Sequence, residues 1–311
     1  MAQIVLFGAT GFVGRNLAVA FADAGHEVIA VSRSGAGVPG ASRAVSMADL
    51  DDLPPLGDDP IVVHVAAQRY DAGQFEMAQS DILTANVDLS NRVYEFCARR
   101  GIKEVRMASS VAVYEAGLPV MDDAQPVDLN KSPHRNEAFY AWSKRWAEIL
   151  ADLYEERYGV STVAFRLSNP YGPYDSTDPK AAHVLPAFVM RALGPGDVFG
   201  MKGDPFVERD FIWVGDVVDV FLKSLEWRGR SGRFNLCTGQ TVTLHHLAET
   251  LVGLTGGSKT IEVETDFAPA AVRVRRSSAD QVRQTFGIDR FTSLEDGLRP
   301  TVDWYRGAMS Q

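Results

Sequence analysis

Short apolar runs separated by longer stretches of helical periodicity organise the first half of the chain. Ile4-Val5-Leu6-Phe7 is a continuous apolar run of the kind found in a strand buried on both faces. Similar runs follow at Glu27–Val31, Ile61–Ala67, Val105–Ser110 and Thr162–Arg166. Between them, helical periodicity predicts helices over Asn16–Ala24, Ala78–Arg100 and Glu137–Tyr158, closed by Gly25, Gly101 and Gly159. Strands alternating with helices predict an α/β fold, a doubly wound parallel sheet. After Asn169 the pattern changes gradually. Helices are predicted at Leu185–Leu193, Asp216–Leu225, Leu244–Leu254, Asp280–Phe286 and Leu294–Tyr305, with strand-like stretches at Val207–Val214 and Phe234–Leu236. There is no long flexible linker. The expected organisation is a dinucleotide-binding domain over 1–169 and a smaller mixed lobe over 170–311. Residues of about 207–236 weave back into the first domain.

The segment Gly8-Ala9-Thr10-Gly11-Phe12-Val13-Gly14 sits between the first strand and the first helix. Strand, glycine-rich turn, helix and strand form the opening unit of a Rossmann fold, although the spacing here is GxxGxxG. Glycines allow a tight turn and close approach of backbone to a pyrophosphate, and the helix N-terminus offers N–H groups to it. The second strand ends Val31-Ser32-Arg33-Ser34, where an acidic residue would favour NAD. Arg33 suits a 2′-phosphate by its charged fork, and Ser32 adds a hydroxyl. NADP(H) is therefore favoured, with NAD(H) left open.

Tyr140 and Lys144 stand four residues apart on the Glu137–Tyr158 helix and share a face. Such a pair is usually only a surface feature. An ammonium beside a phenol also favours the phenolate, which suits an acid/base near neutral pH. His64, in a buried strand, reads as a satisfied core histidine. The 311 residues carry a formal net charge of −9, which argues against nucleic acid or an anionic membrane as partner. No apolar run reaches membrane-spanning length. The two cysteines, Cys97 and Cys237, have no metal-site spacing, so no metal is expected and a reducing, cytoplasmic setting is.

Taken in order, Gly8/Gly11/Gly14, Ser110-x-x-x-Tyr114, Tyr140-x-x-x-Lys144, Arg166 to Pro173 and Arg209 to Val214 resemble the extended short-chain dehydrogenase/reductase superfamily. Within it the likeness is to the nucleotide-sugar epimerase/dehydratase/reductase group, including GDP-fucose synthase-like reductases and UDP-glucose 4-epimerases. The resemblance implies an NAD(P)-dependent oxidoreductase acting on a nucleotide-diphosphate sugar. Tyr140 would be acid/base, Ser110 would hold the reacting oxygen, and Lys144 would bind the nicotinamide ribose. It implies cofactor contacts from Gly8, Thr10, Gly11, Phe12, Val13, Gly14, Ser32, Arg33, Asp49, Leu50, Ala66, Ala67 and Asn86. Substrate contacts would come from Ser110, Asn169 and Arg209, and the protein would be a homodimer. Arg273, Arg275 and Arg276 cluster in the C-terminal lobe, where they suit substrate phosphates, with Arg273 the candidate contact, although a charge run is usually a solvated face. Ser110-Val111-Ala112 lacks the carboxylates of dehydratases. His183-Val184-Leu185-Pro186-Ala187 resembles the segment that donates a proton in combined epimerase-reductases. A keto-sugar reductase or epimerase-reductase is therefore expected, the alternatives being a UDP-sugar 4-epimerase with tightly bound NAD and a non-catalytic NADP-sensing module.

Overall fold

The computed structural model describes residues 1–68, 79–264 and 272–310, without the side chains of Gln79 and Asn136. In chain order the first half holds β1 (Gln3–Phe7), α1 (Phe12–Asp23), β2 (Glu27–Ser32), β3 (Arg43–Ser46), β4 (Ile61–His64), α2 (Gln79–Arg100), β5 (Glu104–Ser110), α3 (Ala138–Tyr158) and β6 (Ser161–Leu167). The second half holds β7 (Asn169–Tyr171), α4 (Val184–Leu193), β8 (Val198–Lys202), β9 (Glu208–Arg209), β10 (Phe211–Trp213), α5 (Val214–Ser224) and β11 (Gly232–Leu236). It ends with β12 (Val242–Thr243), α6 (Leu244–Leu254), β13 (Thr260–Glu264), α7 (Asp280–Phe286) and α8 (Leu294–Met309).

Seven parallel strands form the central sheet in the order β3-β2-β1-β4-β5-β6-β11. Strand alternation splits the core into two layers. Ile4 and Leu6 pack with Leu17 of α1 and Val217 and Phe221 of α5. Val5 and Phe7 face the other way, onto Val93 and Phe96 of α2 and Ala147 of α3. This is the doubly wound arrangement predicted, and its strand order reverses between β1 and β4. A crevice opens at the carboxyl ends of the strands at such a reversal. A third apolar cluster joins α4, α6 and α8 through Phe188, Leu251 and Leu298. Small two-stranded sheets, β7 with β10, β9 with β12 and β8 with β13, flank this part.

Several elements differ from expectation. Helix α1 begins at Phe12 rather than Asn16, because Gly11 is already its extended N-cap and the last glycine lies inside the first turn. The run at 61–67 leaves the sheet after His64, with Val65 N still bonded to Phe7 O at 3.0 Å. The 207–214 run is broken into β9 and β10 at Asp210. The Asp210 carboxylate takes the Ser168 hydroxyl and the N–H groups of Thr238 and Gly239. The turn-rich 167–173 segment contains β7, paired with β10. Strands β3, β8, β12 and β13 were not predicted. They are short edge or satellite strands whose apolar content is too low, or too interrupted by glycine, to stand out. Ala78, the predicted start of α2, lies outside the described residues.

The turn between β1 and α1 requires glycine for space. A Cβ on Gly14 would lie 2.0 Å from the Gly8 carbonyl oxygen and 2.9 Å from Ala9 Cα, and backbone atoms cannot yield. Gly159, which closes α3 at φ +64°, meets nothing within 4 Å of an added Cβ. Gly14→Ala is therefore expected to cost about 3 kcal/mol or prevent folding, and Gly159→Ala about 1 kcal/mol through backbone strain alone. Urea unfolding midpoints of the two variants check this contrast.

Candidate active site

A cavity of about 1040 Å³ opens over the carboxyl ends of the central strands. One wall is the glycine turn. Gly8, Thr10, Gly11, Phe12, Val13 and Gly14 all line it. Gly11 brings no side chain to cap α1, so the first-turn N–H groups of the helix are left for a ligand. Ala66 faces Gly8 so closely that a Cβ on Gly8 would lie 2.6 Å from Ala66 Cα. Ala66 and Ala67 form the adjoining wall. At the end of β2, Ser32 and Arg33 line the same space. The Ser32 hydroxyl is buried without a hydrogen-bond partner among the described residues. A bare helix terminus, a backbone cradle that a methyl group would fill and an orphaned hydroxyl fit a dinucleotide.

The candidate reactive groups meet beyond that wall. Ser110 ends β5, and its Oγ accepts from Ala112 N at 3.1 Å, capping the turn at Val111–Val113. Tyr140 and Lys144 lie on α3, whose long uninterrupted helix sets them one turn apart. Lys144 is 6% exposed; its Nζ donates to Ala108 O at 2.8 Å and lies 5.8 Å from the Tyr140 ring centre. Ser110, Tyr140, Lys144, Asn169 and His183 all line the cavity. Asn169 is held by its Nδ2 on Asp210 O at 2.8 Å. His183 is the exposed N-cap of α4. Among the described residues no group of histidine, cysteine or carboxylate side chains has metal-binding geometry.

Five candidates lie outside the lining. Asp49 takes the Ser46 hydroxyl at 2.5 Å, and Leu50 packs in the core below. Asn86 is buried and holds both backbone groups of Gln68, at 2.8 and 3.1 Å, so it braces the wall that Ala66 and Ala67 belong to. Arg209 donates to the carbonyls of Glu208 and Val272, and Arg273 pairs with Asp204. Burial pushes the Arg209 guanidinium down to about 10, and the charge of Arg275 adds to this. Among Arg273, Arg275 and Arg276 it is Arg275 that lines the cavity, with its Nη1 2.8 Å from each oxygen of Glu137, one turn before Tyr140. Tyr174 and Asp175 also line it, and Tyr174 is the one described non-glycine residue with positive φ, at 70°. The cluster of arginines at 273–276 was the sequence signal for this region. Nothing local in the sequence marked Glu137.

A family model described as the NAD dependent epimerase/dehydratase family matches residues 4–237. The chain belongs to the NAD dependent epimerase/dehydratase family. It is an NAD(P)-dependent enzyme of the extended short-chain dehydrogenase/reductase type. A dTDP-4-dehydro-6-deoxy-D-allose reductase of a Streptomyces species is 27% identical over 97% of this chain and 96% of its own. A UDP-glucose 4-epimerase of Mycolicibacterium smegmatis is 25% identical over 98% of each. The solved structure of MoeE5 with UDP-glucose and NAD is 25% identical, covering 99% of this chain and 100% of its own at a TM-score of 0.82.

Two buried titratable groups lie behind the cavity, Glu148 and His64. Burial alone would push the Glu148 carboxyl up, but hydrogen bonds and charge from Arg166, with the Ser109 hydroxyl, hold it below the ordinary glutamate value. His64 shares the β4 face of Val62, toward α2 and α3. It is 2% exposed, and its Nδ1 has no partner among the described residues. It is a core histidine as expected, but not a satisfied one. Burial first, and the Lys144 charge second, push its pKa down from 6.5 to about 3. The folded protein therefore keeps His64 neutral while the unfolded chain takes up a proton below about pH 6.5. This contribution to stability is complete above that pH and is lost as pH falls from 6.5 toward 3. His64→Gln, neutral throughout, is expected to show a shallower fall of melting temperature between pH 7 and pH 4 than the unmodified protein in parallel calorimetry.

Proposed function

We propose that the protein is an NADP(H)-dependent oxidoreductase acting on a nucleotide-activated sugar, with Tyr140 as acid/base for hydride transfer at a sugar carbon. The observation that carries this reading is the meeting of Ser110, Tyr140 and Lys144 on one cavity whose far wall is the glycine turn with Arg33. A bound nicotinamide cofactor supplies or removes the hydride. The protein's own work is positional and protonic. Ser110 and Tyr140 hydrogen-bond the reacting oxygen of the sugar, and Tyr140 passes the proton. Lys144, fixed on Ala108 O, sets positive charge beside the ring, where negative charge develops on the phenol oxygen. Arg33 with Ser32 favours the extra phosphate of NADP(H). Arg275, anchored by Glu137, offers the cavity a guanidinium for an anionic substrate group. His183, exposed at the cavity, would serve as proton donor if the enzyme also epimerises. The Val111-Ala112 sequence after Ser110 supports reduction over dehydration. Residues 1–169, completed by β11, would hold the cofactor, and 170–311 mainly the sugar nucleotide.

The second reading, a UDP-sugar 4-epimerase with tightly bound NAD, is favoured by the M. smegmatis relative and by the NAD held in MoeE5. The reactive triad speaks against a non-catalytic NADP-sensing module. NADPH oxidation over a panel of nucleotide-linked 4-keto-6-deoxy sugars, with UDP-glucose/UDP-galactose interconversion in parallel, separates the two enzymes. Stoichiometric NAD released by denaturing the purified protein would turn the choice to the epimerase. Tyr140→Phe is expected to lose activity by roughly 10²–10⁴-fold while fluorescence titration shows unchanged NADPH binding. Full activity in that variant would overturn the mechanism.

A homodimer is part of the proposal. Phe139, Trp142, Trp146 and Leu153 of α3 are exposed at helical spacing, an apolar stripe suited to a second copy. No helix of the described residues is long and apolar enough to cross a membrane. Both cysteines are buried free thiols, which agrees with a cytoplasmic setting. Sedimentation is expected to give about twice the 34.0 kDa chain mass, and Leu153→Glu to return it to the single-chain value.

A further inference from the structure

Behind the cavity wall runs a chain of buried polar side chains that the proton and hydride steps do not use. It begins at Glu148, one turn beyond Lys144 on α3. Glu148 accepts from the Ser109 hydroxyl at 2.6 Å, and from Arg166 through Nε at 3.0 Å and Nη2 at 2.7 Å. The remaining Arg166 nitrogen, Nη1, donates to the Tyr114 hydroxyl at 2.8 Å. Tyr114 donates to Asn235 Oδ1 at 2.9 Å, and Asn235 Nδ2 donates to the carbonyls of Met121 at 3.0 Å and Ser278 at 3.2 Å. Ser109, Glu148, Arg166, Tyr114 and Asn235 are all at least nine-tenths buried.

Two properties set this chain apart from ordinary core polarity. Its protons have one arrangement. An arginine only donates, so the Tyr114 proton must go to Asn235, and the Asn235 amide must then turn its NH₂ to the two carbonyls. Its ends also lie in the cavity wall. Ser109 is followed by Ser110, and Met121 and Ser277 line the cavity. Residues 276–278 are further held by Met121 N on Arg276 O at 2.8 Å and Ser278 N on Met121 O at 2.9 Å, close to Arg275. Apolar packing alone tolerates small slips between strand, helix and loop, whereas a satisfied buried network specifies one relative placement. Hydride transfer is sensitive to misplacement of that size.

We propose that Glu148, Arg166, Tyr114 and Asn235 are positioning residues that hold the 276–278 segment in register with Ser110 and with the Tyr140–Lys144 helix. The catalytic consequence rests on the oxidoreductase reading above; the mechanical one does not. Tyr114→Phe removes a single hydroxyl at the centre of the chain and keeps the ring that Arg166 stacks on, 4.9 Å from its centre. Ser109→Ala removes the first link and leaves the Arg166 fork intact, so it serves if Tyr114→Phe folds poorly.

The expected result is a tenfold to hundredfold fall in kcat with KM for NADPH within twofold. The isotope effect on NADPH deuterated at the transferred position should rise, because chemistry becomes limiting. Peptide-level hydrogen exchange should quicken at both 109–114 and 276–278, with β1 unchanged. Faster exchange at only one end, or at neither, overturns the coupling whether or not a substrate has been found. Faster exchange at both ends with kcat and isotope effect unaltered overturns the catalytic role. An unmodified enzyme that turns over none of the sugars sinks the oxidoreductase reading instead, and leaves the exchange measurement to decide the coupling.

Discussion

The close approach of three backbone segments at the head of β1 is the constraint on which the molecule depends. The Gly8 carbonyl abuts Gly14 in the first turn of α1, and Gly8 itself abuts Ala66 after β4. No side chain fits between them. The helix therefore points its free N–H groups into the crevice where the strand order reverses, and Ala66 and Ala67 after β4 form the adjoining wall. The cavity is what remains when these segments are drawn together. The candidate reactive groups are then brought to it by the central sheet and a helix packed on it, Ser110 by β5 and the Tyr140–Lys144 pair by α3.

Buried charge in the core around the sheet is handled by pairing. Arg106 with Glu104 and Arg166 with Glu148 are buried pairs whose remaining hydrogen-bonding capacity is taken up by backbone carbonyls or polar side chains. Such pairs contribute little net stability, but breaking one leaves an uncompensated charge in the core. His64 is the opposite case. Burial and the nearby Lys144 charge keep it neutral, so it adds no cation of its own to the strand. The acidic net charge of the chain says nothing of this. Each local sign is set by one or two side chains.

The parts of the site legible in the sequence are those built by local geometry. The glycine turn could be read because spacing within seven residues fixes a strand-to-helix corner. Tyr140 and Lys144 could be read because four residues on a helix fix a face. Position along a strand gave the end of β2 the same way, whereas Ser110 was marked only by the family resemblance. What depended on remote register was not legible. Which arginine among 273, 275 and 276 lines the cavity is decided by pairing of that segment with Met121 on one side and Glu208 on the other, far away in the chain. Glu137 gains meaning only from Arg275, and the fork of Arg166 on Glu148 joins a strand to a helix across the core. Asp210 broke an apolar run into two strands because its carboxylate is wanted by a turn near residue 238. Periodicity records which residues are buried, and is silent on which distant partner buries them.

The strand β11 has a bearing on how such a chain can be inherited. It enters the sheet only after residues 168–231, which include α5 packed on the sheet's own face, and pairs in parallel with β6 from Gly232 to Leu236. A cut anywhere between the end of β6 and the start of β11 strips β6 of its outer neighbour and bares a row of backbone donors and acceptors. Recombination that swapped the second half for another at that boundary would also remove a strand from the central sheet. The two halves are therefore not freely exchangeable modules. Change in what the cavity accepts must come by substitutions and loop insertions inside one continuous gene.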